Sequence, residues 1–333
     1  MGGGGNMSAM TSKNEQKKNP LERVPSSKPP FTLGDVKKAI PPHCFERSLV
    51  KSFSFLIQDL ILVYIFYYIA NTYIHLIPTP YRYVAWTTYW IAQGCVCTGI
   101  WVIGHECGHH GFSDYQWVDD IVGLILHSAL LTPYFAWKHS HRRHHANTGS
   151  LENDEIYIPR LKSKLRGKKY DRFACHYDPY SPIYSNRERL QIYISDVGVI
   201  ATTYLLYRVT LTQGLAGFIV LITLMHHTHS SLPHYDSSEW DHLRGALATV
   251  DRDYGLLNKV FHNVTDTHVL HHIFSYISHY HAMEAKKAIK PLLGEYYKYD
   301  DTPILKAMWR DTKECIFVEK DKDKGVYWYK NKL

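Results

Sequence analysis

The chain has 333 residues, of which 45% are hydrophobic and 21% charged, and its formal net charge is +7. These values fit an ordered, mildly basic protein and exclude a disordered or collagen-like chain. The six cysteines form no CxxC pair, which argues against a disulfide scaffold and indicates reduced thiols. The unusual values are 14% aromatic residues and 22 histidines.

The N-terminal residues 1–45 are polar and rich in glycine and lysine, and they predict a mobile cytosolic arm. Within this arm we expect a short helix over Leu33–Ile40, with Thr32 as its N-cap. The first ten residues lack the basic and apolar regions of a secretory signal peptide. Residues 46–333 are predicted to form a single domain.

Two long apolar segments follow the arm. Residues 53–70 contain one charged side chain, Asp59, and residues 83–104 contain none. A helix of about 20 residues spans about 30 Å, the thickness of the hydrocarbon core of a membrane. A short turn with proline at Ile77–Tyr81 joins the segments, so we predict a hairpin of two membrane spans. The alternative is a pair of buried helices in a soluble protein.

The later apolar segments are less clear. Val122–Trp137 is short and carries a histidine and a proline, which favours a re-entrant or interfacial helix. Residues 192–206 and 215–225 predict a third and a fourth span, but a helix of eleven residues covers only about 16 Å. The basic residues 160–172 indicate a cytosolic loop that follows the positive-inside rule, or else a docking site for an acidic partner.

Three histidine clusters have spacings that suit a helix. In the first cluster the imidazoles stand at positions i, i+4 and i+5, and in the second and third at i, i+3 and i+4. Residues at i+3 and i+4 lie on the same helical face as residue i, so each cluster presents two or three imidazoles in one direction, as a metal requires. Three such clusters exceed what chance would give. The clustered histidines are His105, His109, His110, His141, His144, His145, His268, His271 and His272.

The number of clustered histidines indicates how many metal ions they bind and of which kind. Nine imidazoles are too many for one zinc ion but suit two metals with four or five nitrogen ligands each. The first cluster directly follows the predicted span that ends at Gly104, at the membrane boundary. There, two non-haem irons with O₂ as co-substrate can attack an unactivated C–H bond of a lipid chain, which acid–base chemistry cannot break. A soluble zinc hydrolase is the distant alternative.

Five further residues are candidates around this site. His227 and His229 are expected to supply an additional metal ligand, although interfacial hydrogen bonding would also explain them. Glu106, Asp154 and Asp266 could orient ligating imidazoles through hydrogen bonds.

These patterns together predict an all-α, integral membrane helical bundle. It has about four spans, the last of them short. A cytosolic helical cap, formed by residues 105–172 and 226–333, carries the di-iron histidine site.

Several extended motifs resemble the plant microsomal oleate desaturase family. The resemblance covers nearly all of the chain after about residue 20, and the motifs are highly specific. They occupy residues 29–45, 101–117, 140–155, 171–179, 227–240 and 263–285.

The resemblance implies a membrane-bound, non-haem di-iron enzyme of the endoplasmic reticulum, with the nine clustered histidines as iron ligands. Such an enzyme takes electrons from cytochrome b5 and its reductase and inserts a cis double bond at the Δ12 position of oleoyl phosphatidylcholine. It is a multi-pass protein with the histidine clusters and both termini in the cytosol. Tyr329, Lys332 and Leu333 resemble the family's retrieval signal. Association with itself or with other desaturases is compatible with the family, and no nucleic acid partner is expected.

The chain also departs from the family pattern. It is shorter near 167–169 and near 216–217, and it has Gly111 and His226 where alanine and glutamine are more usual. A shared metal site requires an even number of membrane crossings between the second and third clusters, which the short last span makes marginal. The alternatives are therefore a diverged acetylenase, hydroxylase, epoxygenase or conjugase, or an inactive shortened member.

Overall fold

The computed structural model describes residues 21–156, 159, 174–209, 225–321 and 325–331. Helices dominate this part of the chain, and short 3-10 turns lie at Pro42–Phe45, Ile74–Leu76 and Gly294–Tyr296. The helices are α1 (Leu33–Ala39), α2 (Leu49–Tyr73), α3 (Thr79–Gly108), α4 (Gln116–Ala129), α5 (Tyr134–Asn147), α6 (Arg189–Val209), α7 (His242–Leu247), α8 (Leu257–Val260), α9 (His268–Ile273), α10 (His279–Leu293) and α11 (Ile304–Glu314).

Short strands accompany the C-terminal helices, which corrects the all-α prediction for this region. The strands are β1 (Pro233–Tyr235), β2 (Asp251–Arg252), β3 (Tyr299–Asp300), β4 (Phe317–Lys320) and β5 (Val326–Lys330). An antiparallel sheet has the strand order β1-β5-β4, and β2 and β3 form a parallel pair. Strands of two to five residues are too short to show a period of two, so the sequence pattern could not reveal them.

The described part of the N-terminal segment is fixed to the core rather than mobile. Thr32 caps α1 as predicted, because its side chain accepts from the backbone N–H of Asp35 while the Asp35 carboxylate accepts from that of Thr32. Val36 and Ile40 are buried in a hydrophobic cluster with residues of α9 and α10. Residues 1–20 of the predicted arm lie outside the described part of the chain.

The predicted membrane spans are confirmed only in part. Among the described residues, Leu49–Leu76 is the one helical segment long and apolar enough to cross a membrane. Helices α4 and α5 meet that criterion only as a pair, and they bend by 108° at their junction, which fits the re-entrant helix predicted there. The predicted spans 83–104 and 192–206 lie in α3 and α6, and neither helix meets this criterion of length and hydropathy. Residues 215–225 lie outside the described part, except for Met225.

Helices α2 and α3 pack together, and the segment that contains Val260 and His262 contacts both of them. At Gly99 of α3, a Cβ atom would lie 2.4 Å from the carbonyl oxygen of Val260, so this close approach requires glycine. Beside it, the Nε2 atom of His262 lies 2.7 Å from the Oδ2 atom of Asp59, and both side chains are buried. The one charged side chain of the first apolar segment therefore fastens α2 to the loop after α8.

We expect the replacement Asp59→Leu to lower the free energy of unfolding by about 3 kcal/mol, because it leaves the buried His262 ring without its partner. The replacement Asp59→Asn should cost less, because the amide can still form a hydrogen bond. Thermal unfolding of the detergent-solubilised protein, followed by tryptophan fluorescence, measures the difference. The exposed neighbour Gln58 provides the control, and an equal loss of stability in Gln58→Leu would contradict this role of Asp59.

Candidate metal centre

The three histidine clusters meet at one place, although they are far apart in the sequence. The first cluster lies at the C-terminal end of α3, the second lies on α5, and the third lies on α9. Their side chains form two adjoining groups. The five-histidine group consists of His105, His109, His141, His145 and His271, whose ligand atoms all lie within 4.8 Å of one another.

Within the five-histidine group, the imidazoles converge on His141. Its Nε2 atom lies 3.0 Å from the Nε2 atoms of both His105 and His145. The Nε2 atoms of His109 and His271 are buried and have no hydrogen-bond partner among the described residues. Buried nitrogen atoms without a partner are costly in a folded protein, and a metal ion would satisfy them. The donor set therefore fits a metal.

The four-histidine group lies beside the first. The ligand atoms of His144, His227 and His272 lie within 4.8 Å of one another. The Nε2 atom of His268 lies 3.1 Å from that of His272 and 3.3 Å from that of His227. The two groups adjoin, because the rings of His145 and His272 stack with centroids 4.0 Å apart. Helices α5 and α9 each supply ligands to both groups.

Hydrogen bonds orient two imidazoles of the four-histidine group. The Nδ1 atom of His144 lies 2.9 Å from a carboxylate oxygen of Asp154, as the sequence predicts. The hydroxyl of Thr148 donates to the carbonyl of His144 and lies 3.0 Å from the Nδ1 atom of His272, from which it can accept. Both contacts place a proton on Nδ1, so the Nε2 atom of each ring is the one that can bind a metal.

Burial keeps four imidazoles of the two groups in the neutral form that binds metals. It lowers the pKa values of His227, His268, His271 and His272 well below the usual range, because a buried imidazolium loses its hydration. Neighbouring imidazoles lower the pKa values further. Metal binding therefore need not displace protons from these rings at neutral pH.

Two predicted ligands lie outside both groups. His110 has a φ angle of 58°, and its Nδ1 atom pairs with the carboxylate of Asp119. Its ring is turned away because α3 ends at Gly108 and the chain reverses there. His229 is buried, but its Nδ1 atom contacts Ser231 and its Nε2 atom faces Asp300. Of the two supplementary candidates, the structure brings only His227 to the site.

The other predicted polar residues have different positions. Glu106 contacts His279 through the backbone N–H and the ring, rather than a clustered histidine. One carboxylate oxygen of Asp266 is buried without a hydrogen-bond partner in the described chain, and the described contacts show no bond from its side chain to a clustered histidine. Tyr329 belongs to β5, whereas residues 332 and 333 lie outside the described part, so the retrieval signal stays a prediction.

Some residues around the site carry no sequence signal. Trp137 stacks on His141 with ring centroids 4.4 Å apart, and Thr148 orients His272 as described above. A small cavity lies against the five-histidine group. Half of its lining residues are polar, namely His105, Glu106, His262, Thr267, His271 and His279, and half are apolar, namely Val102, Val264, Leu270, Phe274, Ile277 and Ala282.

The carboxylate behind His144 gives a prediction about metal affinity. We expect Asp154→Asn to reduce metal affinity or activity by about 10- to 100-fold, because the amide orients the imidazole less strongly. Titration of the purified protein with limiting iron, followed by metal analysis, measures the change. Glu152→Gln, two residues away and exposed, is the matched control. Equal iron content in both variants at limiting iron would show that Asp154 does not support the metal.

Comparison with known proteins gives the family. The family model for fatty acid desaturases matches residues 83–303, and a domain of unknown function, DUF3474, matches residues 4–67. The chain belongs to the fatty acid desaturase family. It is therefore an oxidoreductase that acts on fatty acids, and its histidine clusters are able to bind metal.

Similar proteins cover the whole chain. A Delta(12)-acyl-lipid-desaturase of Punica granatum is 58% identical, with 100% of both chains aligned. An omega-6 fatty acid desaturase of Glycine max, named as an endoplasmic reticulum isozyme, is 56% identical with the same coverage. An oleoyl-12-hydroxylase of Ricinus communis is also 56% identical, with 94% of both chains aligned.

The alignment confirms that the chain is shorter than its relatives. The match to the Punica granatum protein extends over 387 positions, whereas the chain has 333 residues, so at least 54 positions are gaps in this chain. Both predicted places of shortening, near 167–169 and 216–217, lie outside the described residues. The second and third clusters nevertheless meet in one site.

Proposed function

We propose that this chain is an O₂-dependent acyl-lipid Δ12 desaturase that converts oleoyl to linoleoyl chains on phosphatidylcholine. The observation that carries the proposal is the convergence of three histidine clusters and His227 on two adjoining groups. Relatives named as Δ12 desaturases, similar over their full length, support the choice of substrate and position.

The proposed metals are two non-haem irons, held by the five-histidine and four-histidine groups. Bound iron would supply the activation of O₂ that an unactivated C–H bond requires. The contribution of the chain is to position the ligands and to exclude water. Asp154 and Thr148 hold protons at the Nδ1 atoms of His144 and His272, and burial keeps the surrounding rings dry.

The acyl chain is proposed to approach through the cavity beside the five-histidine group. Six of its lining residues are apolar, including Leu270 and Phe274, and two of its polar residues, His105 and His271, belong to the five-histidine group. The apolar residues suit contact with a hydrocarbon chain. The position of a methylene group along this cavity would then decide which C–H bonds face the metals.

We propose the predicted membrane architecture for the whole chain: about four spans, with the histidine centre and both termini on the cytosolic side of the endoplasmic reticulum. Exposed large apolar side chains on α2, α3 and α6 support it, because soluble proteins rarely expose such extended surfaces. The endoplasmic reticulum names of the soybean relatives support the compartment. These exposed side chains include Ile57, Ile61, Ile65, Ile69, Val84, Ile91, Val197 and Ile200.

The proposed electron donor is cytochrome b5 with its reductase. Removing two hydrogens from the acyl chain provides two electrons, whereas reduction of O₂ to two water molecules takes four. An external donor must therefore provide the other two. Association with further copies or with other desaturases is proposed on the family resemblance alone.

A diverged oxidation product is the second candidate. The Ricinus communis hydroxylase is as similar as several desaturases, so overall identity does not separate the two reactions. His226 is one of the atypical residues, and its buried ring packs against His268 with centroids 4.4 Å apart. A change so close to a metal ligand could move the acyl chain relative to the oxidant.

Expression in a yeast host that makes oleate but no linoleate tests the proposal. We expect linoleate to accumulate in the lipids, and no product with the variant His271→Ala, which serves as the matched negative control. A hydroxyl, epoxide or triple bond at this position would support the diverged enzyme instead. Purified protein that holds iron but gives no product with added electron donors would contradict both enzymatic functions, and protein that binds no iron would support the inactive shortened member.

A further inference from the structure

A second set of metal-binding side chains lies outside the histidine centre, where the N-terminal segment meets the start of α10. His43 and Cys44 belong to the turn Pro42–Phe45, whereas His281 and Glu284 lie in the first two turns of α10. Their four ligand atoms all lie within 4.8 Å of one another. None of the four is a predicted site residue, because 241 positions separate His43 from Glu284.

We propose that His43, Cys44, His281 and Glu284 bind one Zn²⁺ ion in a tetrahedral site that fastens the N-terminal segment to α10. Imidazole, thiolate and carboxylate are the ligands that zinc uses in proteins, and four protein ligands are typical of a structural site. A thiolate ligand disfavours Mg²⁺ and Ca²⁺, which prefer oxygen. The thiolate and the carboxylate together balance the charge of the ion.

Two of the distances lie within about 0.3 Å of those in a tetrahedral zinc site. Zinc bonds of about 2.0 Å to nitrogen or oxygen and about 2.3 Å to sulfur place two nitrogen or oxygen ligands about 3.3 Å apart, and a nitrogen and a sulfur ligand about 3.5 Å apart. The Nε2 atom of His43 lies 3.0 Å from the Oε2 atom of Glu284 and 3.7 Å from the Sγ atom of Cys44. Small rotations of side chains would complete the site, and His43 and Glu284 are free to rotate because each is about half exposed.

Cys44 is held in place by packing, whereas His43 and Glu284 are exposed to solvent. Cys44 is buried in the same hydrophobic cluster as Val36 and Ala285, so the position of its thiol is set by packing. The exposed imidazole and carboxylate leave a path for the ion. A simple ion pair between His43 and Glu284 is the alternative, but that pair would require neither Cys44 nor His281.

Zinc bound at this site would hold α10 in place, and α10 contacts the segment that carries His105. The first residue of α10, His279, contacts the carboxylate of Glu106 through both its backbone N–H and its ring. Glu106 directly follows the ligand His105. Because the metal binds only the folded arrangement, its binding free energy would stabilise the docking of α10.

Metal analysis of the purified full-length protein tests the proposal, with zinc and iron measured separately after dialysis at a fixed low zinc concentration. We expect about one zinc ion per chain in the parent protein and at least a tenfold lower zinc content in Cys44→Ser and His281→Ala. The matched controls Cys315→Ser and His242→Ala should keep their zinc. Iron content and fatty acid products report on the proposed function independently. Unchanged zinc in Cys44→Ser would overturn the proposal.

Cobalt substitution provides a second readout. Co²⁺ bound to a thiolate gives a charge-transfer absorption, which should appear in the parent protein and in Cys315→Ser but vanish in Cys44→Ser. Persistence of this band in Cys44→Ser would assign the cobalt to another cysteine and overturn the proposal. If Cys44→Ser fails to fold, the half-exposed His43 provides the substitute, because His43→Ala disturbs no core packing and should lose zinc equally.

Discussion

Replacing His109 by asparagine is expected to abolish activity, whereas the same replacement at His110 is not. His109 belongs to the five-histidine group, and its ring lies 4.4 Å from that of His145 and 4.8 Å from that of His271, centroid to centroid. Loss of a metal ligand should exceed the effect of losing a residue that orients one, so we expect a reduction of more than about 100-fold. The measurements are the linoleate content of the yeast host and the iron content of the purified protein.

His110→Asn is the matched control because asparagine suits this position. The φ angle of 58° lies in the left-handed region that asparagine tolerates, and its amide can replace the Nδ1 contact to Asp119. This variant should keep iron and most of the activity. A folded His110→Asn protein without iron, beside an active His109→Asn protein, would show that the first cluster binds metal through the other histidine.

The second large effect is expected at His227, which lies outside the three clusters. Its Nε2 atom lies 3.2 Å from that of His144 and 3.3 Å from that of His268, so it joins helices α5 and α9 within the four-histidine group. We expect His227→Gln to lose iron from this group and to reduce desaturation by more than about 100-fold. The iron-to-protein ratio and product analysis measure both effects.

His229→Gln is the matched comparison, two residues along the same segment. His229 faces Asp300, a carboxylate that also pairs with Arg252 and Arg310. Its replacement should therefore lower the midpoint of thermal unfolding but leave the iron content unchanged. Equal iron content in the two glutamine variants would show that His227 does not bind the metal. Loss of iron in His229→Gln alone would show that His229 is the ligand instead.

The histidine pattern shows what spacing predicts and where it stops. The i, i+4 pairs His105/His109, His141/His145 and His268/His272 each lie within one group, as helical periodicity requires. Spacing could not assign His110, because it assumes that α3 continues past Gly108. It also could not decide between His227, which ends a helical stretch, and His229, which lies in the loop before β1.

For the fold, the sequence predicted individual helices but not how they pack. Hydrophobic length identified α2 as a helix long and apolar enough to cross a membrane, and the Thr32 capping signal identified the start of α1. Packing of the N-terminal segment against α9 and α10 involves contacts between residues more than 200 positions apart. No local pattern encodes such contacts, so a mobile arm was the natural but wrong expectation for the described part of that segment.

The spacing of the histidines and the apolar segment before them are enough to predict a metal centre, and the extended motifs are enough to predict the desaturase family. Long-range packing sets which imidazoles share a group, because α5 and α9 each divide their histidines between the two groups. It also sets which polar side chains orient them, with Asp154 and Thr148 at the site and Glu106 turned to α10. The physical reason is that helical periodicity fixes the face of each helix, whereas only long-range packing fixes what that face meets.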